Sequence, residues 1–300
     1  ARDKPWWGEL MHKSGVLSEE DRECLDADIT SDEFNKALKK LGKGTAPGPS
    51  GIQYSQWKNA PPDFRELSLR LMNQILRTGE LPDDFCRGNI FPIPKDPAKP
   101  CTPDNARPLT MLETGLKILT KIISNRLNAT MALSPVFTPS QYAFLPGMDI
   151  MDPVRTIEAV YEQSRRLKKP VHIAFLDLKA AFDKVEYWAG EAALERIRIP
   201  PKVKALLHTL NTRSERSIIT EHGLTDLWKV KCGIPQGEIL SPFRFIALMD
   251  MLNTWMADRC SGNNPTGEQM GFRMEKCSAA KKAQPWTVGN ETCFVHSLMY

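Results

Sequence analysis

The 300 residues contain no Cys-x-x-Cys pair; the seven cysteines (Cys24, Cys86, Cys101, Cys232, Cys260, Cys277, Cys293) are scattered. That excludes the ligand spacing of zinc and dithiol redox centres and leaves reduced thiols. Long apolar runs are missing too. The longest, Phe245 to Met249, is far too short to cross a bilayer, and the first twenty residues lack a signal-peptide core. The expected location is therefore intracellular, in nucleus or cytoplasm, with no membrane partner. Excess charge of one sign is also scarce: the formal net charge is +4, too mild to establish nucleic-acid binding. Internal repeats and low-complexity segments are absent. What remains, 41% hydrophobic and 25% charged residues, describes a globular chain long enough for one large core or two lobes.

Local charge is more informative than the total. Lys39, Lys40 and Lys43 precede a Gly/Pro loop, Arg165, Arg166, Lys168 and Lys169 precede an apolar run, and Lys276, Lys281 and Lys282 lie near the end. Each cluster alone reads equally as a solvated helix end. The chain begins at Ala1 and stops at Tyr300 within an apolar stretch, and both ends read as cuts.

Thr30-x-x-Glu33 is a capping box with Ile29 and Phe34 as its hydrophobic staple, predicting a helix to about Leu41, stopped by Gly42. Gly44 to Gly51 is a Gly/Pro loop. Apolar spacing at Phe64, Leu67, Leu71 and Ile75 predicts a helix over 64–78, closed by Gly79 and Pro82. Ile90–Pro94 and Arg107–Met111 read as a hairpin-like unit, followed by a helix from about Glu113 to Met131. Val171–Leu178 is apolar on both faces and predicts a buried strand, with helical spacing resuming through Phe182, Val185, Ala189 and Ala193. A helix near 201–212 and extended runs at Arg216–Thr220 and Trp228–Cys232 lead to Gly233-Ile234-Pro235-Gln236-Gly237. Ser241 then caps a buried helix with Pro242 at its first position. This order of elements implies an α+β fold.

Asp177 closes the apolar run, where an ionised carboxylate needs a cation or several hydrogen bonds. Mg²⁺, which takes one or two carboxylates and completes its shell with phosphate and water, is one such cation; capping the next helix is the alternative role. Phe182, five residues on, could lie beside whatever such a metal holds, or pack in the core. Lys95 and Arg107 flank the hairpin turn and could present a point charge and a planar fork to one triphosphate, or be solvated. Gln236 and Gly237 bring a side-chain amide and free backbone N–H groups to one spot before a helix, or form a simple joint.

Taken in order, these segments resemble the reverse transcriptases of non-long-terminal-repeat retrotransposons and, more distantly, of group II introns, from residue 30 to 300. Lys43 to Ile52 is similar to the family's Ala-Pro-Gly and Asp-Gly loop, with Ser50 where Asp is usual. Ile93-Pro94-Lys95 and Asn105-Ala106-Arg107-Pro108-Leu109 look like its fingers motifs. Gln141 to Gly147 resembles a segment near the template, with Leu145 where Arg is usual. Phe175-Leu176-Asp177-Leu178-Lys179-Ala180-Ala181-Phe182-Asp183 is similar to the first palm motif. Gly233 to Gly237 with Leu240-Ser241-Pro242 is similar to the second, with Glu238 where a small residue or Cys is common.

The resemblance implies a right-hand polymerase: fingers and a partial palm, an antiparallel palm sheet with packed helices, and no thumb. It implies an N-terminal extension over 1–60, fingers over 61–168, palm over 169–193 and 232–300, and a connection over 194–231. Asp177 would bind two Mg²⁺ with help from the Leu178 carbonyl. Lys95 and Arg107 would hold the incoming deoxynucleoside triphosphate, Phe182 would crowd a ribose 2′-hydroxyl, and Gln236 and Gly237 would contact nucleotide and template. The partners would be an RNA template and a DNA primer. Phe294 to Tyr300 looks like the strand entering a Tyr-x-Asp-Asp hairpin, so this piece is expected to be inactive by itself. Rivals are an RNA-directed RNA polymerase, disfavoured by Phe182 where an Asp is usual, and a non-catalytic RNA-binding, maturase-like or decayed protein keeping the fold.

Overall fold

The computed structural model describes residues 15–42, 46–133 and 136–260. The chain divides into two compact units, one of Val16–Ser134 with Lys179–Leu248, the other of Ala1–Gly15, Pro135–Leu178 and Met249–Tyr300.

The first unit opens with α1 (Glu19–Asp26) and α2 (Ser31–Lys40), each started by a capping box, Ser18 with Asp21 and Thr30 with Glu33. Both boxes satisfy N–H groups that the first turn leaves without helical partners. Ile29 and Phe34 are buried as a staple requires. After α3 (Tyr54–Lys58) comes α4 (Pro62–Thr78), which ends at Gly79 in the left-handed conformation. The helix is where its spacing predicts, but its buried face is Ser68, Met72, Ile75 and Leu76; Phe64, Leu67 and Leu71 are exposed. Packing against α9 (Pro201–Thr212) decides this, because the two apolar stripes are adjacent and only one meets the neighbour.

A short α5 (Asp83–Cys86) leads into β1 (Arg87–Pro94), and β2 (Ala106–Leu112) returns antiparallel to it. With β3 (Glu215–Thr220), β4 (Gly223–Leu224) and β5 (Trp228–Lys229) these form a five-stranded sheet in the order β2-β1-β3-β4, with β5 also on β3. Because β1 and β3 run parallel, the sheet is mixed, and all five strands lie outside 169–193 and 232–300, where the palm is expected. After β2 comes α6 (Thr114–Leu133), whose Leu116, Ile118, Leu119, Ile122, Ile123 and Leu127 are all essentially inaccessible. Burial on nearly every side makes α6 the core of this unit, each such side chain contributing on the order of 2 kcal/mol. Arg126 of α6 donates to Leu25, Ala27 and Asp28 carbonyls and to both Glu33 oxygens, tying α1 and α2 to it.

The second unit contains α7 (Met151–Leu167), the segment 136–149, residues 168–178 and the end of α10 (Ser241–Cys260), the long helix whose first part belongs to the first unit. Residues 171–178 overturn one expectation. They form no regular element, and Phe175 and Leu176 are 71% and 79% exposed. Strand ladders need a neighbour, and none lies alongside this segment among the described residues. The helix expected to follow at once is also delayed: 179–184 form turns, with Ala180 left-handed, and α8 (Tyr187–Arg196) starts later. Lys43, the Lys276, Lys281 and Lys282 cluster and the Phe294–Tyr300 segment lie outside the described residues.

Candidate functional site

The hairpin fixes two of the expected residues. Antiparallel register sets Ile93 opposite Arg107 and Phe91 opposite Leu109, so all four share one face, with Phe91, Ile93 and Leu109 about 40–50% exposed. Pairing continues one step beyond the strand, where the Lys95 N–H donates to the Asn105 carbonyl at 2.7 Å. The Lys95 ammonium donates to the Asp104 carbonyl at 2.9 Å. Arg107 is exposed, and its side chain has no hydrogen-bond or ion-pair partner among the described residues. Its guanidinium is therefore available to an external anion.

Three distant stretches meet on the open edge of β2. The Thr110 N–H donates to the Gln236 carbonyl at 2.7 Å, docking the Gly233–Gly237 loop on that edge. A Cβ on Gly237 would lie 2.7 Å from the Thr110 carbonyl oxygen, and its φ is +110°, so only glycine permits this approach. On its other side the loop binds the turn after Asp177: Ile234 N–H donates to the Phe182 carbonyl at 2.9 Å and Gly233 N–H to that of Val185 at 2.8 Å. The Gln236 amide donates to Asp183 at 3.4 Å. The Phe182 ring stacks on Phe245 of α10, centroids 4.6 Å apart and planes 18° from parallel. Arg107, Gln236, Gly237 and Phe182 are thus held on connected backbone.

Behind the loop is a cavity of about 110 Å³ bounded by Asp183, Tyr187, Asn211, Arg216 and Gln236. Burial pulls Arg216 down to about 10, still cationic at neutral pH, and its Nη1 donates to the Cys86 and Glu215 carbonyls. A second buried polar group supports the loop from below. Glu238 accepts from the Leu240 N–H at 2.8 Å and from the Ser241 hydroxyl at 3.2 Å. Burial raises its carboxyl, opposed by the charge of Arg244, which is itself lowered by burial and donates to Asn211. The Ser241 hydroxyl, expected to cap α10, instead also reaches the Pro235 carbonyl at 2.8 Å.

The Gly/Pro loop is anchored as well. The Ser50 N–H and hydroxyl donate to the two oxygens of buried Glu113, and Gly48 packs so closely that a Cβ would lie 2.6 Å from the Glu113 backbone. In the second unit, Asp177 and Leu178 are exposed neighbours, and because turns rather than a helix follow at 179–184, Asp177 does not fill its alternative role as a helix cap. Their carboxylate and carbonyl are hard oxygen donors of the kind Mg²⁺ takes. Among the described residues, no group of three His, Cys, Asp or Glu side chains is close enough to hold a metal. Gln141 is buried and accepts from Asn253 at 3.2 Å, and Thr138 donates twice to Asp250. Among the described residues, no helix is long and apolar enough to cross a membrane.

Glu113, Arg216 and the Glu238–Arg244 pair were missed in the sequence. Glu113 carried a usable signal, a carboxylate directly after an apolar strand, the same pattern that singled out Asp177. Arg216 and Arg244 carried none.

Residues 93–278, more than half of the chain, match the family described as Reverse transcriptase (RNA-dependent DNA polymerase). Among curated proteins the chain is 30% identical over 237 residues to the Transposon TX1 uncharacterized 149 kDa protein of Xenopus laevis, covering 78% of this chain and 18% of that protein. It is 27% identical to the Retrovirus-related Pol polyprotein from type-1 retrotransposable element R2 of Nasonia vitripennis, covering 74% and 21%. It is 23% identical to the RNA-directed DNA polymerase from mobile element jockey of Drosophila funebris, covering 77% and 25%. The chain thus spans about a fifth to a quarter of the length of these relatives. On this match and the ordered motifs together, the chain belongs to the reverse transcriptase family of non-long-terminal-repeat retrotransposon type.

Proposed function

We propose that the protein containing this chain is an RNA-directed DNA polymerase of a retrotransposon, joining deoxynucleotides to a DNA primer on an RNA template inside the cell. The observation that carries the reading is the loop Gly233–Gly237, bonded on one side to the strand of Arg107 and on the other to the turn of Phe182. In this reading the first unit supplies the fingers and much of the nucleotide side of the palm. Arg107, unpaired, and Lys95, tethered beside it, neutralise the triphosphate. Gln236 supports the templated base pair, and the Phe182 ring, backed by Phe245, crowds a 2′-hydroxyl.

Asp177 and the Leu178 carbonyl would hold Mg²⁺, which when bound lowers the cost of charge on the attacking and leaving oxygens. The test is primer extension by the full-length protein on an RNA template. Asp177→Asn is expected to abolish it, and unchanged extension would overturn the reading.

A further inference from the structure

Glu238 directly follows the Gly233–Gly237 loop, yet it is 4% exposed and both its oxygens accept hydrogen bonds. A buried carboxylate is costly unless the surroundings satisfy it. Here the satisfying groups are those that shape the loop. The Leu240 N–H lies at the start of α10, and the Ser241 hydroxyl sits between Glu238 and the Pro235 carbonyl. Pro235 directly precedes Gln236, whose carbonyl is bonded to Thr110. A chain of contacts therefore runs from Glu238 through Ser241 and Pro235 to Gln236.

We propose that Glu238 is a positioning residue of the nucleotide site, acting through Ser241 and Pro235 to hold the Gln236 backbone on β2 and so to aim its side-chain amide. This rests on the polymerase reading for its consequence, though not for its geometry. Arg244 and Asn211 complete the arrangement by keeping a compensating cation nearby in the same buried layer.

The conservative variant Glu238→Gln keeps the volume and one acceptor but cannot accept from Leu240 and Ser241 on separate oxygens. Two readouts decide the proposal. In the 300-residue chain, amide hydrogen exchange over residues 233–240 is expected to quicken in Glu238→Gln and in Ser241→Ala, the latter leaving Glu238 itself in place. Unchanged exchange in both overturns the proposal. In the full-length protein, Glu238→Gln is expected to raise KM for deoxynucleotides on the order of tenfold with little change in kcat, the loss of about one oriented contact. Gln236→Ala should do the same, and the double variant should be no worse than Gln236→Ala alone, since both act through one amide.

An additive double variant, or an unchanged KM, overturns the positioning role. Absence of extension by the unsubstituted full-length protein would instead sink the polymerase reading, and the exchange measurement would still decide whether Glu238 holds the loop.

Discussion

Ser50 and Glu113 meet at two points, the backbone N–H and hydroxyl of the serine donating to separate oxygens of the buried carboxylate at 2.7 and 2.6 Å. A serine suits this contact because it is a donor. The Asp usual in resembling enzymes would oppose one carboxylate with another, so here the loop and the residue after β2 fit each other.

Ser50→Asp is accordingly expected to destabilise the protein by on the order of 2 kcal/mol, from like-charge repulsion and lost bonds. The urea midpoint measures it. Adding Glu113→Gln to Ser50→Asp should restore much of the loss, because the amide can donate to the new carboxylate.

Arg126 and Glu33 give a pH-dependent contribution. The hydrogen bonds of Arg126 hold the Glu33 carboxyl down to about 2 against an opposing effect of burial. A depressed carboxyl stabilises the fold above its ordinary value near 4.5 and loses that stabilisation as pH falls toward about 2. Glu33→Gln should therefore be less stable than the unsubstituted protein at pH 7, by on the order of 2 kcal/mol. The gap should narrow between about pH 4.5 and pH 2, as followed by urea unfolding across that range.

What could be read from the sequence was local. The Thr30–Glu33 capping box, the Gly79 stop and the hairpin bearing Lys95 and Arg107 each depend on residues a few positions apart, and the structure has them all. The burial of α4 was misjudged because its two apolar stripes differ only in which one α9 covers. Residues 171–178 were taken for a buried strand from their apolar character, but burial needs a partner that composition does not reveal. Likewise the approach of Gln236 to Thr110 and of Ile234 to Phe182 rests on backbone bonds across long stretches of chain, which leave no pattern in side-chain identity.

The Arg107 side chain differs from that of Lys95 in having no intramolecular partner among the described residues. Arg107→Ala should leave the thermal midpoint unchanged within about 0.5 kcal/mol equivalent, as surface substitutions do. It should still raise KM for deoxynucleotides in the full-length protein by about tenfold or more. A midpoint loss without a change in KM would remove Arg107 from the nucleotide site.

Gly237→Ala tests the docking of the loop on β2. With φ at +110° and a Cβ only 2.7 Å from the Thr110 oxygen, the substitution must displace backbone. The expected cost is about 2–3 kcal/mol in unfolding free energy. Nucleotide KM should rise at temperatures where the variant remains folded, since Gln236 moves with its neighbour.

The last prediction concerns the stacked pair Phe182 and Phe245. Phe182 sits in a turn with no regular structure, so the ring needs a support to act as a steric limit, and Phe245, 4% exposed on α10, supplies a parallel face at 4.6 Å. Phe182→Val removes the limit itself and should let ribonucleotides be incorporated, lowering the deoxy-over-ribo ratio of kcat/KM by about a hundredfold while deoxynucleotide use is largely kept. Phe245→Leu leaves Phe182 in place but removes its flat support, so discrimination should fall by a smaller factor, accompanied by about 1 kcal/mol of destabilisation. The double variant should discriminate no worse than Phe182→Val, because Phe245 acts only through the ring that is gone. Competition between deoxy- and ribonucleotides in single-nucleotide extension gives all the ratios. Discrimination unchanged in Phe182→Val would show that this ring does not meet the sugar.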